Sequence, residues 1–153
     1  DICLMGLPKV GKTSIAKVIF QKMNPKLTLM LEETSKVESF EFKLHNIPLR
    51  VFDFPGKYDI SEAPPNELMI IEGCYAVIFV INAQVLALLD VSEPFSDSFE
   101  MLNDIASYIQ NNNAKCSFHV FLNKAESDVF NEEARQDLLV KTRQQTQEVL
   151  NTS

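Results

Sequence analysis

Basic side chains are scarce in this sequence: 14 lysines and arginines face 21 aspartates and glutamates over 153 residues, a formal net charge of −7. A nucleic-acid footprint needs a basic face, so no nucleic-acid partner is expected. The deficit is uneven, because residues 1–76 carry 9 basic and 10 acidic side chains whereas residues 77–153 carry 5 and 11. An acidic second half of this kind reads as a solvated helical surface rather than a docking patch. Cysteine is also sparse. Cys3, Cys74 and Cys116 are odd in number and lack paired or metal-type spacing, so reduced, buried thiols in a cytosolic protein are the simplest account. Long hydrophobic runs are missing too. The longest, Gly73 to Leu89, contains Asn82 and Gln84 and falls short of the ~20 residues of a bilayer span, so no direct membrane insertion is expected. No charged-then-apolar segment opens the sequence, no lipidation motif stands at either end, and there are no repeats or low-complexity tracts.

What remains has the size and composition of one globular domain. Its organising stretch is Gly6-Leu7-Pro8-Lys9-Val10-Gly11-Lys12-Thr13, which fits the pattern Gly, four residues, Gly-Lys-Ser/Thr. It follows the apolar run Ile2 to Met5 and opens a helical period over residues 12–23, with Ile15, Val18, Ile19 and Met23 on one face. Glycines there let backbone N–H groups converge on phosphate oxygens. Lys12 adds a point charge, Thr13 a hydroxyl for magnesium, and the helix its positive end. Gly6, Lys9, Val10, Gly11, Lys12, Thr13 and Ser14 are therefore the candidate phosphate-binding residues.

Further along, Asn24-Pro25 closes the helix, and residues 26–37 read as a loop able to order around a ligand. Residues 38–54 form an expected antiparallel hairpin, with His45-Asn46-Ile47-Pro48 as an exposed turn. A short helix is predicted over 66–73, and the continuous apolar run Tyr75 to Ile81 is a strand buried on both faces. Residues 83–96 are ambiguous. Residues 97–110 are helical, with Phe99, Leu102, Ile105, Ala106 and Ile109 on one side. Ser117 to Leu122 is the next strand, with His119 expected in the core, and 131–150 a polar helix. The alternation implies an α/β three-layer sandwich, its sheet mostly parallel with one antiparallel edge hairpin, and with the Gly6–Thr13 loop the expected fold is of the P-loop NTPase type. Ligands then sit at the carboxyl ends of the strands. Asp53-Phe54-Pro55-Gly56 ends a strand there: a carboxylate able to hold magnesium through water, then a glycine N–H able to meet a γ-phosphate. Asn123-Lys124-Ala125-Glu126 follows the fifth strand on the same rim.

This ordered set resembles the Ras-like small GTPases, and in detail the Rag/Gtr family, nearest its RagC/RagD (Gtr2-like) branch. The matching stretches are Leu4-Met5-Gly6-Leu7 with Gly11-Lys12-Thr13-Ser14, Thr28-Leu29-Met30-Leu31-Glu32-Glu33-Thr34-Ser35-Lys36, Phe52-Asp53-Phe54-Pro55-Gly56, and Ile81-Asn82-Ala83-Gln84. The resemblance implies a GTP/GDP site in which Thr28 lies near the nucleotide and Thr34 reads magnesium and γ-phosphate. It implies magnesium on Thr13, Thr34 and Asp53, and catalytic contacts from Lys12, Thr34 and Gly56. Asn123, Lys124 and Glu126 would hold the base. It further implies a heterodimer with a RagA/RagB-like GTPase, a lysosomal scaffold complex, signalling of amino-acid sufficiency to the target-of-rapamycin complex, and a cytoplasmic protein recruited to the lysosomal or vacuolar surface.

Three departures qualify the resemblance. Lys57 stands where hydrolytic members carry a water-orienting glutamine, so slow GTP hydrolysis is expected. Glu126 replaces the aspartate of Asn-Lys-x-Asp, which shifts the geometry of guanine recognition. The base loop, last strand and helix, and dimerisation domain of the family are not in the sequence, so a fragment of a longer protein is expected. The leading reading is a guanine-nucleotide switch. The alternatives are a nucleotide-locked or nucleotide-weak interaction scaffold with little turnover, and a P-loop ATPase or kinase, which Asn123-Lys124 disfavours.

Overall fold

The computed structural model describes residues 1–88, 97–126 and 130–152. In chain order it builds β1 (Ile2–Met5), α1 (Lys12–Gln21), a 3-10 segment (Pro25–Met30), β2 (Glu38–Leu44), β3 (Ile47–Asp53), a second 3-10 segment (Ile60–Glu62), α2 (Pro65–Gly73), β4 (Ala76–Asn82), α3 (Ala83–Leu88), α4 (Asp97–Asn112), β5 (Ser117–Asn123) and α5 (Glu132–Thr152). The strands form one sheet in the order β2-β3-β1-β4-β5. β1 runs parallel to both β3 and β4, β4 parallel to β5, and β2–β3 is antiparallel. This is the α/β architecture expected from the alternation of strands and helices.

Successive strand side chains point to opposite faces, so each strand feeds two cores. Cys3, Met5, Phe52, Val77, Phe79 and Ile81 face one layer, where Ile71 of α2 and Phe99, Leu102, Ile105 and Ile109 of α4 close over them. The α4 residues are those the helical period singled out. On the other face Leu4, Phe40 and Val51 meet Ala16 of α1. With both faces covered, β4 has no strictly polar alternation, and five of its seven residues are buried. Among the described residues no helix is long and apolar enough to cross a membrane.

Several local expectations shift. α1 stops at Gln21, because Lys22 turns left-handed (φ 54°) and its N–H returns to the Lys17 carbonyl. Its covered face centres on Ala16, with Ile19 left 61% exposed. The hairpin turn is tighter than expected. His45 and Asn46 both take positive φ (47° and 69°), so two residues suffice and β3 begins at Ile47. Pro48 is tolerated inside the strand because its pairing with Lys43 is a non-hydrogen-bonded one, next to the turn pair Leu44–Ile47. His119 is exposed rather than in the core. Phe118, Val120 and Leu122 turn toward the α2/α4 layer, which sends His119 to the opposite face, where α1 covers β2 and β3 instead. Of the ambiguous segment, 83–88 is α3, and 89–96 lies outside the described residues.

Candidate functional site

β1 ends at Met5 and α1 starts at Lys12, leaving Gly6–Gly11 as the connection. Gly6 (φ 132°) and Gly11 (φ 99°) hold backbone angles that L side chains rarely adopt. Space is as decisive as angle: a β-carbon on Gly6 would stand 2.3 Å from the Val80 carbonyl oxygen, and one on Gly11 2.5 Å from Asn123 Nδ2. The loop therefore lies directly against β4 and against the residue that ends β5. Lys12 is buried, and its Nζ donates to the Gly6 and Leu7 carbonyls at 2.8 and 3.0 Å. Burial lowers its pKa to about 8, opposed by the charge of Asp53.

Asp53, the last residue of β3, is fully buried. Its Oδ2 accepts from Thr13 Oγ1 at 2.5 Å and from Thr34 Oγ1 at 3.3 Å, and the two hydroxyls lie 2.7 Å apart. Among the described residues its Oδ1 has no hydrogen-bond partner. Burial raises the Asp53 pKa, while the Thr13 hydrogen bond and the Lys12 charge pull it down. One buried, half-satisfied carboxylate and two hydroxyls form an oxygen set that suits a hard cation such as magnesium. Among the described residues no group of three or more His, Cys, Asp or Glu is placed to hold a metal. Magnesium at this cluster would thus share its coordination with phosphate oxygens and water, as that ion commonly does.

The strand rims bring the rest together. Gly56 packs on the phosphate loop so closely that a β-carbon would lie 2.4 Å from Pro8 Cα. Asn123 Nδ2 donates to the Val10 carbonyl at 2.8 Å, and Lys124, at φ 62°, donates from Nζ to the Lys9 carbonyl at 2.7 Å. Glu126 Oε2 accepts from Gln84 Nε2 at 3.3 Å. Gln84 is set in the first turn of α3 by its own N–H, which donates to Asn82 Oδ1 at 3.0 Å. Asn82 pairs in register with Asn123, so α3 and the Asn123–Glu126 segment leave adjacent strands side by side.

A cavity of about 820 Å³ opens between these pieces. Lys9, Gly11, Lys12, Thr13, Ser14, Thr28, Thr34, Gly56, Asn123, Lys124 and Glu126 line it, together with Lys57. Of the candidate residues only Gly6, Val10 and Asp53 do not face the cavity. Val10 is buried and offers its carbonyl to Asn123, and Asp53 lies under the two threonines. The sequence reading missed Pro8, Leu29, Leu31 and Pro55 on the wall, and Gln84 behind Glu126. The wall also takes in Glu32, Glu33 and Ser35. Glu33 reaches back to Lys9 as an exposed ion pair at 3.7 Å, a contact worth about 0–1 kcal/mol.

Comparison with known proteins agrees with this arrangement. A family profile described as the Gtr1/RagA G protein conserved region matches residues 1–153. Ras-related GTP-binding protein C of Homo sapiens is 33% identical over 140 residues, covering 90% of this chain and 33% of that relative. GTP-binding protein gtr2 of Schizosaccharomyces pombe is 33% identical over 150 residues, covering 97% and 45%. The chain thus spans between a third and a half of the length of these curated relatives. A chain from the solved structure of the mammalian SRP receptor superposes with a TM-score of 0.64 at 18% identity, covering 99% of this chain and 73% of that one, a likeness of fold. The chain belongs to the Gtr1/RagA family, in its RagC/RagD (Gtr2-like) branch.

Proposed function

We propose that this chain is the nucleotide-binding domain of a guanine-nucleotide switch that hydrolyses GTP slowly. The observation that carries the reading is the meeting of Thr13, Thr34 and Asp53 at one buried oxygen cluster beside the phosphate loop, on the cavity that Asn123, Lys124 and Glu126 also border. Thr34 lies on the segment before β2, and Gly56 on the segment after β3. Both segments reach the phosphate end of the cavity, so a γ-phosphate has two loops to hold in one arrangement and to release when it leaves.

The roles divide by chemistry. The loop N–H groups and Lys12 bind and orient the phosphates, and Gly56 offers a main-chain N–H with no side chain in the way. Thr13, Thr34 and Asp53 would hold magnesium, whose charge offsets that of the phosphates when bound. Asn123 fixes the phosphate loop to the base-binding segment, and Glu126 offers carboxylate oxygens to the N1 and N2 protons of guanine. Lys57 on the cavity wall donates hydrogen bonds but accepts none, so it cannot orient an attacking water as glutamine does. Hydrolysis is therefore slow.

Membership of the family supports the wider reading: one half of a heterodimer with a RagA/RagB-like GTPase, in the cytoplasm and at the lysosomal or vacuolar surface, acting through a scaffold complex on the target-of-rapamycin complex. Lys57, together with the hydrogen bond that ties Glu126 to Gln84, favours one second reading, a nucleotide-locked scaffold with little turnover. Measuring GDP and GTP affinity and hydrolysis in one preparation of the full-length protein separates the two. Tight binding with partner-stimulated turnover supports the switch. Turnover that no partner stimulates supports the scaffold, and preferential ATP binding overturns both.

A further inference from the structure

The three cysteines meet at the end of the sheet opposite the nucleotide cavity. Cys3 lies in β1, Cys74 just before β4 and Cys116 just before β5. Cys74 Sγ and Cys116 Sγ are 3.5 Å apart, and Cys3 belongs to the same buried cluster. Cys3 and Cys74 are buried, and Cys116 is half-buried. The proposed nucleotide chemistry uses none of these thiols.

The backbone around the pair already suits a cross-link. Ala76 and Ser117 are partners in the β4–β5 ladder, and the Ser117 N–H donates to the Tyr75 carbonyl at 2.9 Å. Cys116 therefore stands beside Tyr75, one residue diagonally from Cys74. The two sulfurs already lie 3.5 Å apart, so closing an S–S bond of about 2.05 Å asks for an approach of about 1.5 Å between the side chains. The Cys74 backbone is also pinned, because Asn113 Nδ2 donates to the carbonyls of Cys74 at 2.8 Å and Ile71 at 3.2 Å. Hydrogen bonding within the cluster draws the Cys74 thiol down against its burial, whereas burial and Cys74 raise Cys116 and Cys3.

We propose that Cys74 and Cys116 are an oxidative modification site, a dithiol that a small peroxide converts into a reversible disulfide. The Cys74 thiolate attacks one oxygen of hydrogen peroxide, the O–O bond breaks, and hydroxide leaves, so Cys74 becomes a sulfenic acid. The Cys116 sulfur then attacks the Cys74 sulfur. The S–S bond forms, the S–O bond breaks, and the oxygen leaves as water, taking up the Cys116 proton. The two thiols give up two electrons and two protons, and the peroxide becomes two waters. A dithiol reductant reverses the bond by exchange. The bridge fastens the end of α2, the helix that follows the Gly56 loop, to the start of β5.

The test uses the full-length, GDP-loaded protein, first reduced and then exposed to hydrogen peroxide, with free thiols alkylated before peptide mass spectrometry. The expected result is a Cys74–Cys116 linked peptide, lighter by two hydrogens than the reduced pair and lost on treatment with dithiothreitol. Cys116→Ser removes the linked peptide and leaves a sulfenic acid on Cys74 that dimedone traps. That variant changes a half-buried position, and GDP binding checks its fold. Full alkylation of both thiols after peroxide overturns the proposal. So does a bridge between Cys3 and Cys74 in the native protein, or equal cross-linking in the Cys116→Ser variant.

Discussion

Thr13 and Asp53, forty residues apart, share a 2.5 Å hydrogen bond beneath the cavity floor, and Thr34 closes on the same carboxylate oxygen. The other oxygen of Asp53 is buried without a hydrogen-bond partner among the described residues. A buried, half-satisfied carboxylate destabilises the protein on its own and rewards a bound cation. Asp53→Asn removes the charge while keeping an oxygen for the two threonines. In EDTA the variant should unfold at a temperature equal to or above that of the parent. With GDP and magnesium it should gain far less, and the magnesium dependence of GDP affinity should fall at least about tenfold, as expected when one charge-assisted contact is lost. Thermal unfolding with and without the metal checks both halves. A variant that is less stable in EDTA yet fully responsive to magnesium contradicts the assignment.

Lys12 gives the site a pH signature. Burial has lowered its pKa to about 8 from the 10.5 of a free lysine side chain. The folded protein freed of nucleotide therefore binds fewer protons than the unfolded chain between those values, and its stability rises with pH across that window. Phosphate oxygens favour the ammonium form, so nucleotide binding takes up a proton above pH about 8. GDP affinity should be flat below pH about 7 and then fall by up to about tenfold per unit above 8. Calorimetry in two buffers of different ionisation enthalpy reports the proton directly. Equal heats in both buffers at pH 9 would refute the linkage.

Much of this site was legible in the sequence because its residues occur at strand ends, where spacing and residue type are tightly constrained. Gly6, Gly11 and Lys12 are dictated by a turn, a close approach and a charge. Phe99, Leu102, Ile105 and Ile109 announce themselves by period. What was not legible depends on which elements become neighbours. The period of α1 suggested Ile19 because it is large and apolar, whereas the helix buries the small Ala16 against β2 and β3. His119 alternates correctly with Phe118 and Val120, but alternation does not say which face of β5 is covered. Cys74 and Cys116 are 42 positions apart and show no motif, and only the parallel pairing of β4 with β5 brings them together.

Gln84 is another residue whose role emerges only from the sheet order, since β4 and β5 must be adjacent before it can reach Glu126. Its bond at 3.3 Å occupies one oxygen of the carboxylate expected to meet the guanine N1 and N2 protons. Glu126→Ala should weaken GDP by about 1–3 kcal/mol, the cost of leaving those donors unpaired. Gln84→Ala should act more gently, because it frees the side chain without removing the acceptor. It should also narrow the difference between GDP and IDP affinity, since a loosened carboxylate discriminates less well for the 2-amino group. Competition binding with the two nucleotides measures the ratio, and a Gln84→Ala ratio equal to that of the parent would dismiss the positioning role.

Lys57 borders the cavity directly after Gly56, where the loop leaving β3 passes Pro8 of the phosphate loop. An ammonium at this place has three donors and no lone pair, so it can touch a phosphate oxygen but cannot accept a proton from water or hold water by its own oxygen. Glutamine supplies both a carbonyl and an amide at a similar reach. Lys57→Gln should therefore raise single-turnover GTP hydrolysis by at least about tenfold, the lower range of what a well-placed water-orienting group contributes. GDP affinity should stay within about twofold, because a cavity-wall cation reading the γ-phosphate makes no contact with the diphosphate. Rapid-quench hydrolysis and GDP dissociation rates read the two quantities separately. An unchanged rate would remove Lys57 as a determinant of turnover.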